Sequence, residues 1–253
     1  MTNLIRIVRK MASSSSGPAV VSTTEEIRER MSKFDLRLRD ANFTKPEGFV
    51  SASVLVPLFI RDGKVQVLLT VRSKHLRSHA GLVAFPGGHM DEDDQSVIST
   101  ALREAEEETG LPAKDVDVIA VLPPSFVRPN KFVSLVVGII PSDFEPKMNE
   151  AEVSKIFSLP LERFLRDDVV KKDMVIGESE YMIFFFHDMV DGEKIETWGF
   201  TASYCMLVGL ALCTSDYKLE MQKGVYLDRH SAFLVKANEN HFKSLKKVFQ
   251  SKV

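Results

Sequence analysis

What this chain lacks narrows it first. Its 253 residues hold two cysteines, Cys205 and Cys213, eight apart in one apolar segment. That is neither a disulfide framework nor a zinc-ligand spacing, and it reads as two buried thiols in a reducing compartment. Charge of one sign is missing too: 33 Lys and Arg stand against 35 Asp and Glu, a formal net charge of −2. A general nucleic-acid binder carries a basic excess or patch, so that class is disfavoured. No apolar run reaches the roughly 20 residues that span a bilayer, and the most apolar stretch, Tyr204 to Cys213, stops well short. No P-loop, dinucleotide-binding glycine pattern or Ser/Cys nucleophile motif is present. The expectation is a soluble, intracellular chain without a transmembrane segment or nucleic-acid partner.

The two ends differ from the middle. Met1 to Met11 carries Arg6, Arg9 and Lys10 with no acid, a serine run follows from Ser13 to Ser16, and the first acid is Glu25. A basic, serine-rich, acid-free start reads as a disordered tail or a mitochondrial transit segment. The last residues, Ser251-Lys252-Val253, are similar to a peroxisomal Ser-Lys-Leu end, which points to a different compartment. The expected division is a tail over 1–24, a helix and linker over 25–48, the main domain over 49–215, and an extension over 216–253 packed on it.

Periodicity and turn residues predict the elements. A helix capped by Ser22 or Thr23 is expected to run to about Asp40. Ser51–Ile60 and Val65–Arg72 read as a hairpin across Arg61-Asp62-Gly63-Lys64. A short strand over Gly81–Phe85 precedes a helix from about Ser96 to Thr109, stopped by Gly110. Val116–Leu122 and Phe132–Ile140 read as strands, Glu150–Phe157 as a short helix and Leu161–Leu165 as a second. Strands at Tyr181–His187 and Lys194–Thr197 lead into an apolar helix ending near Leu212, and Ala237–Phe249 is amphipathic and basic. Strand pairs interleaved with helices predict an α+β fold, an α-β-α sandwich with a mixed β-sheet.

The chemistry concentrates in Arg103-Glu104-Ala105-Glu106-Glu107-Glu108-Thr109-Gly110-Leu111, just after Phe85-Pro86-Gly87-Gly88. Glu104, Glu107 and Glu108 share one helical face, where each like-charge pair costs roughly 0.2–0.5 kcal/mol. An acidic run of this kind is by default a solvated face. Beside a glycine turn it is easier to explain if a hard divalent cation, Mg²⁺ or Mn²⁺, sits against it.

Gly88, Asp94, Arg103, Glu104, Glu107, Glu108, Gly110 and Leu111 resemble the signature box of the Nudix hydrolases. The second half of the box matches at every defined position. The first half departs twice: the acid is Asp94 rather than glutamate, and eight residues separate it from Arg103, one more than usual. Upstream, Leu68-Leu69-Thr70-Val71-Arg72-Ser73, Arg77, Gly81 and Phe85-Pro86-Gly87-Gly88 resemble the extra motif of the coenzyme A diphosphatase branch. Trp198-Gly199-Phe200-Thr201-Ala202 and Glu152-Val153 are similar to that branch as well.

The resemblance implies a Nudix-type sandwich and a metal-dependent hydrolase. Its substrate would be coenzyme A or acyl-coenzyme A, cleaved to (acyl-)4′-phosphopantetheine and adenosine 3′,5′-bisphosphate. Another nucleoside diphosphate derivative, such as ADP-ribose or NADH, is the alternative, and a non-catalytic Nudix-like binding module is the third reading. By the same resemblance Glu104, Glu107, Glu108 and Gly88 surround the metal. Glu107 or Glu152 serves as base, with Glu150 as the alternative to Glu152, and Arg103 holds the glutamates and pairs with Asp94. Arg72, Arg77 and Gly87 meet the substrate, and Lys74, His75 and His79 read as a solvated loop.

Overall fold

The alternating apolar residues after Phe49 form the centre of the molecule. In the computed structural model, which describes residues 18–39, 43–76, 78–127, 129–176, 179–222 and 225–233, they make a long hairpin. Strand β1 (Val50–Arg61) pairs antiparallel with β2 (Lys64–Arg72), with Arg61 opposite Lys64. The turn residues Asp62 and Gly63 take φ of 52° and 70°, as a two-residue hairpin turn requires. The expected features within 1–17, at Arg77, in Ala237–Phe249 and at Ser251-Lys252-Val253 lie outside the described residues.

Five more strands complete a mixed, seven-stranded sheet: β3 (Val83–Ala84), β4 (Gly87–His89), β5 (Asp117–Val127), β6 (Lys131–Ile139) and β7 (Val153–Pro160). Their order is β3-β2-β1-β6-β5, with β4 also on β1 and β7 also on β2. The pair β1–β6 is parallel, and the others are antiparallel. Side chains alternate across such a sheet, so it has two buried faces. Leu55, Phe59 and Val136 pack with Ala101, Ala105 and Leu111 of and after helix α2 (Val97–Thr109). Val56, Leu58 and Val137 pack on the opposite side with Ile27 and Met31 of helix α1 (Thr24–Ser32) and Cys205 and Met206 of helix α3 (Gly199–Leu212). The fold is therefore the expected α-β-α sandwich. Both cysteines are buried and unbridged.

Two sequence expectations need correction. The first helix ends at Ser32, not near Asp40. Asp35 interrupts it: its buried carboxylate accepts from Arg37 N at 3.1 Å and from Val121 N at 3.0 Å. Glu150–Phe157 is not a helix. Only one turn forms there, with Glu152 N and Val153 N bonded to Asn149 O at 3.0 and 2.9 Å. Val153 onward is β7, paired along β2 with Phe157 opposite Leu69. Tertiary pairing overrides a short helical pattern because each β-branched or aromatic side chain gains a neighbour on the sheet.

Outside the main sheet, β8 (Val170–Ile176), β9 (Ser179–Val190) and β10 (Glu193–Trp198) form a second, antiparallel sheet. Phe184 and Phe186 point into the core, and buried Arg163 ties this sheet to the segment after β7 through Asp188 and Asp168. A small hairpin, β11 (Leu219–Gln222) and β12 (Val225–Leu227), follows α3. No helix among the described residues is long and apolar enough to cross a membrane.

Candidate active site

Helix α2 is held firmly at both ends. Ser96 and Ser99 cap its start reciprocally, each side chain meeting the other's backbone N–H at 3.1 and 2.9 Å. Gly110 ends it at φ 72°, in the left-handed region where glycine is favoured. Beyond that end, Lys147 N and Asn149 N donate to Thr109 O and Glu108 O at 2.8 and 3.1 Å. The helix terminus thereby docks the turn that carries Glu152. The strand pairing of β7 with β2 finishes the placement, with Ser73 N bonded to Glu152 O at 2.8 Å.

The result is a cluster of three carboxylates. One oxygen each of Glu104, Glu108 and Glu152 lies within 4.8 Å of the others. Glu108 is only 2% exposed. Its carboxylate accepts from Gly87 N at 3.3 Å and faces Arg72 Nη1 at 3.5 Å. Burial, opposed by Arg72 and Gly87 and reinforced by Glu104 and Glu152, pushes its pKa up to about 8. Burial also raises that of Glu104.

The glycines make the approach possible. A Cβ on Gly88 would collide with the Glu104 carboxylate, and one on Gly87 would collide with the β1 backbone at Ser53 and Val54. Next to the cluster, Arg103 grips Asp94 with two hydrogen bonds, Nε at 3.1 Å and Nη2 at 2.8 Å. It also reaches His89 O at 3.0 Å, Glu104 at 3.1 Å and Glu107 at 3.3 Å. The Arg103 guanidinium holds the Asp94 carboxyl down at about 2. The longer loop and shorter acid therefore still bring Asp94 against Arg103.

The sequence model of the NUDIX domain matches residues 51–176, which contain every residue of this cluster. A protein of Shigella flexneri serotype 5b (strain 8401) named Nudix hydrolase NudL is 48% identical over 135 residues, covering 53% of this chain and 69% of that protein. The chain belongs to the Nudix family. Another NudL, from Escherichia coli (strain SMS-3-5 / SECEC), is 52% identical over 114 residues, 45% of this chain and 59% of that protein. A solved Ap4A hydrolase from C. elegans superimposes with a TM-score of 0.38 at 21% identity, covering 45% of this chain and 81% of the other.

Nudix enzymes generally use divalent metal ions, and the donor set here suits one. Three carboxylates packed together, one of them buried and raised to about 8, are stable as anions only with a cation among them. Glu104, Glu108 and Glu152 could hold it, with Gly88 leaving the room that a side chain would fill. Of the box acids, Glu107 is not in the cluster. Its side chain is 50% exposed and hydrogen-bonded to Arg103. Glu150, Lys74 and His75 are exposed and apart from the cluster, and Arg77 lies outside the described residues.

Arg72 does double duty. It faces Glu108 and also lines an adjoining pocket of about 310 Å³. The pocket lies between the central sheet, which gives Val54, His89, Lys131 and Val133, and the start of α3, which gives Phe200 and follows Trp198. Sequence reasoning missed Lys131 and His89. The only signal was their parity along β6 and β4, which has no meaning until the strands are paired. Trp198 to Thr201, part of the stretch similar to the coenzyme A diphosphatase branch, forms the opposite wall.

Proposed function

We propose that this Nudix hydrolase cleaves the diphosphate of coenzyme A or an acyl-coenzyme A, giving (acyl-)4′-phosphopantetheine and adenosine 3′,5′-bisphosphate. The observation that carries the reading is the position of Arg72. It belongs to the stretch resembling the coenzyme A diphosphatase motif, and it stands where the carboxylate cluster meets the pocket. Hydrolysis adds water to one phosphorus while the bridging oxygen leaves with the other. Mg²⁺ or Mn²⁺ held by Glu104, Glu108 and Glu152 would neutralise phosphate oxygens and acidify bound water.

The chain's own groups do the rest. Gly88 lets the Glu104 carboxylate lie against the backbone, Gly87 lets β4 close on β1, and Arg72 offers guanidinium N–H groups to the diphosphate oxygens. Arg103 is a positioning residue: its bonds to Asp94, His89 O and Glu104 orient the first glutamate. Glu107, left outside the cluster and half exposed, is assigned the proton of the attacking water. Glu152 takes that role only if it is not a ligand.

The test is a parallel incubation of the full chain and Mg²⁺ or Mn²⁺ with coenzyme A, ADP-ribose and NADH, with products separated by chromatography. Adenosine 3′,5′-bisphosphate from coenzyme A is the expected product. Its absence, with turnover of ADP-ribose or NADH, transfers the site to another nucleoside diphosphate derivative. No turnover of any of the three would favour a binding module.

A further inference from the structure

The pocket is built on one face of the central sheet. His89 pairs with Ala52, Ala52 with Val133, and Lys131 lies two residues before Val133, opposite Val127. Residues two apart on a strand share a face, so His89, Val133 and Lys131 turn to the same side, and all three line the pocket. Lys131 is the unusual member of this wall. It is partly buried, and its ammonium makes no hydrogen bond or ion pair with any described residue. Burial and then the Arg72 cation lower its pKa, opposed more weakly by the Glu104 carboxylate.

His89 lines the same wall with one strand between, as the β4 residue paired with Ala52. Arg72 Nε is buried with no partner among the described residues. Cation-capable groups gathered in a partly buried pocket destabilise one another unless an anion joins them. One diphosphate does not serve them all. Arg72 ends β2 and Lys131 begins β6; the β1–β2 pairing stops at Leu58 and Val67, and beyond it β3 stands on β2 and β4 on β1. With β1 and these strands between them, the two backbones are at least two strand spacings apart, roughly 10 Å or more, which is wider than one phosphate group.

The geometry points to Lys131, with His89 beside it, as the contact for a second anionic group of the substrate: a phosphomonoester carried on the ribose of a nucleoside diphosphate derivative. This rests on the hydrolase reading above and sharpens it. Lys131 becomes a specificity-determining residue. It favours coenzyme A over dephospho-coenzyme A, and over ADP-ribose and NADH, which also lack that phosphate.

Two measurements on the full chain test this. In the first, kcat/KM is compared for coenzyme A and dephospho-coenzyme A with Mg²⁺. The wild type should prefer coenzyme A by about ten- to a hundredfold, the size of one charge-assisted contact. Lys131→Met should bring the ratio near one, mainly through KM, and Lys131→Arg should keep it. In the second, calorimetry without added metal compares adenosine 3′,5′-bisphosphate with AMP. The same preference should appear in the wild type and vanish in Lys131→Met. A wild type with no preference in either measurement overturns the inference. So does a preference that survives in Lys131→Met, or one lost in Lys131→Met and Lys131→Arg alike. If coenzyme A is not hydrolysed at all, the proposed activity fails, and the calorimetric preference alone still decides the role of Lys131.

Discussion

Asp94 and Glu108 are both buried carboxylates beside helix α2, with side chains 5% and 3% exposed. Their surroundings treat negative charge in opposite ways. Asp94 receives two hydrogen bonds from one guanidinium and is held at about 2. Glu108 has one backbone N–H and an arginine at the edge of contact, faces two further carboxylates, and is pushed up to about 8. The first is a completed ion pair that fixes a loop to the helix. The second is an incomplete one, and a divalent cation, as Nudix enzymes generally use, would complete it. A folded chain tolerates such an imbalance where it binds something.

The largest expected effect comes from removing charge at the incomplete side. Glu108→Gln should lower turnover by about a thousandfold or more, since the metal's several kcal/mol of charge stabilisation is lost. Its metal-free melting temperature at neutral pH should change little, because burial already keeps the Glu108 carboxyl largely protonated and the amide is a neutral replacement of the same shape. A variant that melts early and still turns over would reverse the contrast with Asp94.

Glu107→Gln comes next. If Glu107 takes the proton from water, turnover drops by about a hundredfold. Thermal stabilisation by Mn²⁺ should persist, in contrast to Glu108→Gln, where it should vanish. Loss of both in Glu107→Gln would place Glu107 among the ligands.

On the completed side, Asp94→Asn should cost about 1–3 kcal/mol of unfolding free energy, as a hydrogen bond to a charged group and a buried partner are lost. Denaturant titration measures it. Activity should fall less than in Glu108→Gln, because Arg103 still touches Glu104.

The two carboxylates also predict opposite pH slopes. The Glu108 pKa is raised from 4.5 to about 8 on folding. Its contribution to stability is complete below 4.5 and is lost as pH rises toward 8, by up to about 1.4 kcal/mol per pH unit. The Asp94 pKa is lowered from 3.8 to about 2, so its contribution is present above 3.8 and is lost as pH falls through 2. Melting curves of metal-free protein from pH 4.5 to 8 should show the first slope, and Glu108→Gln or added Mn²⁺ should flatten it.

Much of the site was legible because its residues are local. Gly87, Gly88, Arg103, Glu104 and Glu108 fall within one turn and one helix, where spacing along the chain is nearly spacing in space. The hairpin was legible for the same reason, with Asp62-Gly63 as its turn. Glu152 was nameable only through resemblance, and the helix expected at Glu150–Phe157 would not have delivered it. The strand β7, bonded along β2, carries its carboxylate to Glu108. Lys131 and His89 were not legible at all, since nothing in Phe132–Ile140 or in the polar loop after Gly88 tells which face is a pocket.

The sequence by itself determined the helix of acids, the glycine turn before it, the hairpin and the family. Each is written in short-range pattern, where backbone geometry and side-chain chemistry act between neighbours. Tertiary structure alone decided which acids meet, that Glu107 stands aside from Glu152 and Glu108, and that Lys131 shares a pocket with Arg72. Those outcomes depend on strand pairing and helix packing between residues far apart in the chain, and a register shift of one residue in the strands would turn Arg72 and Lys131 to the other face.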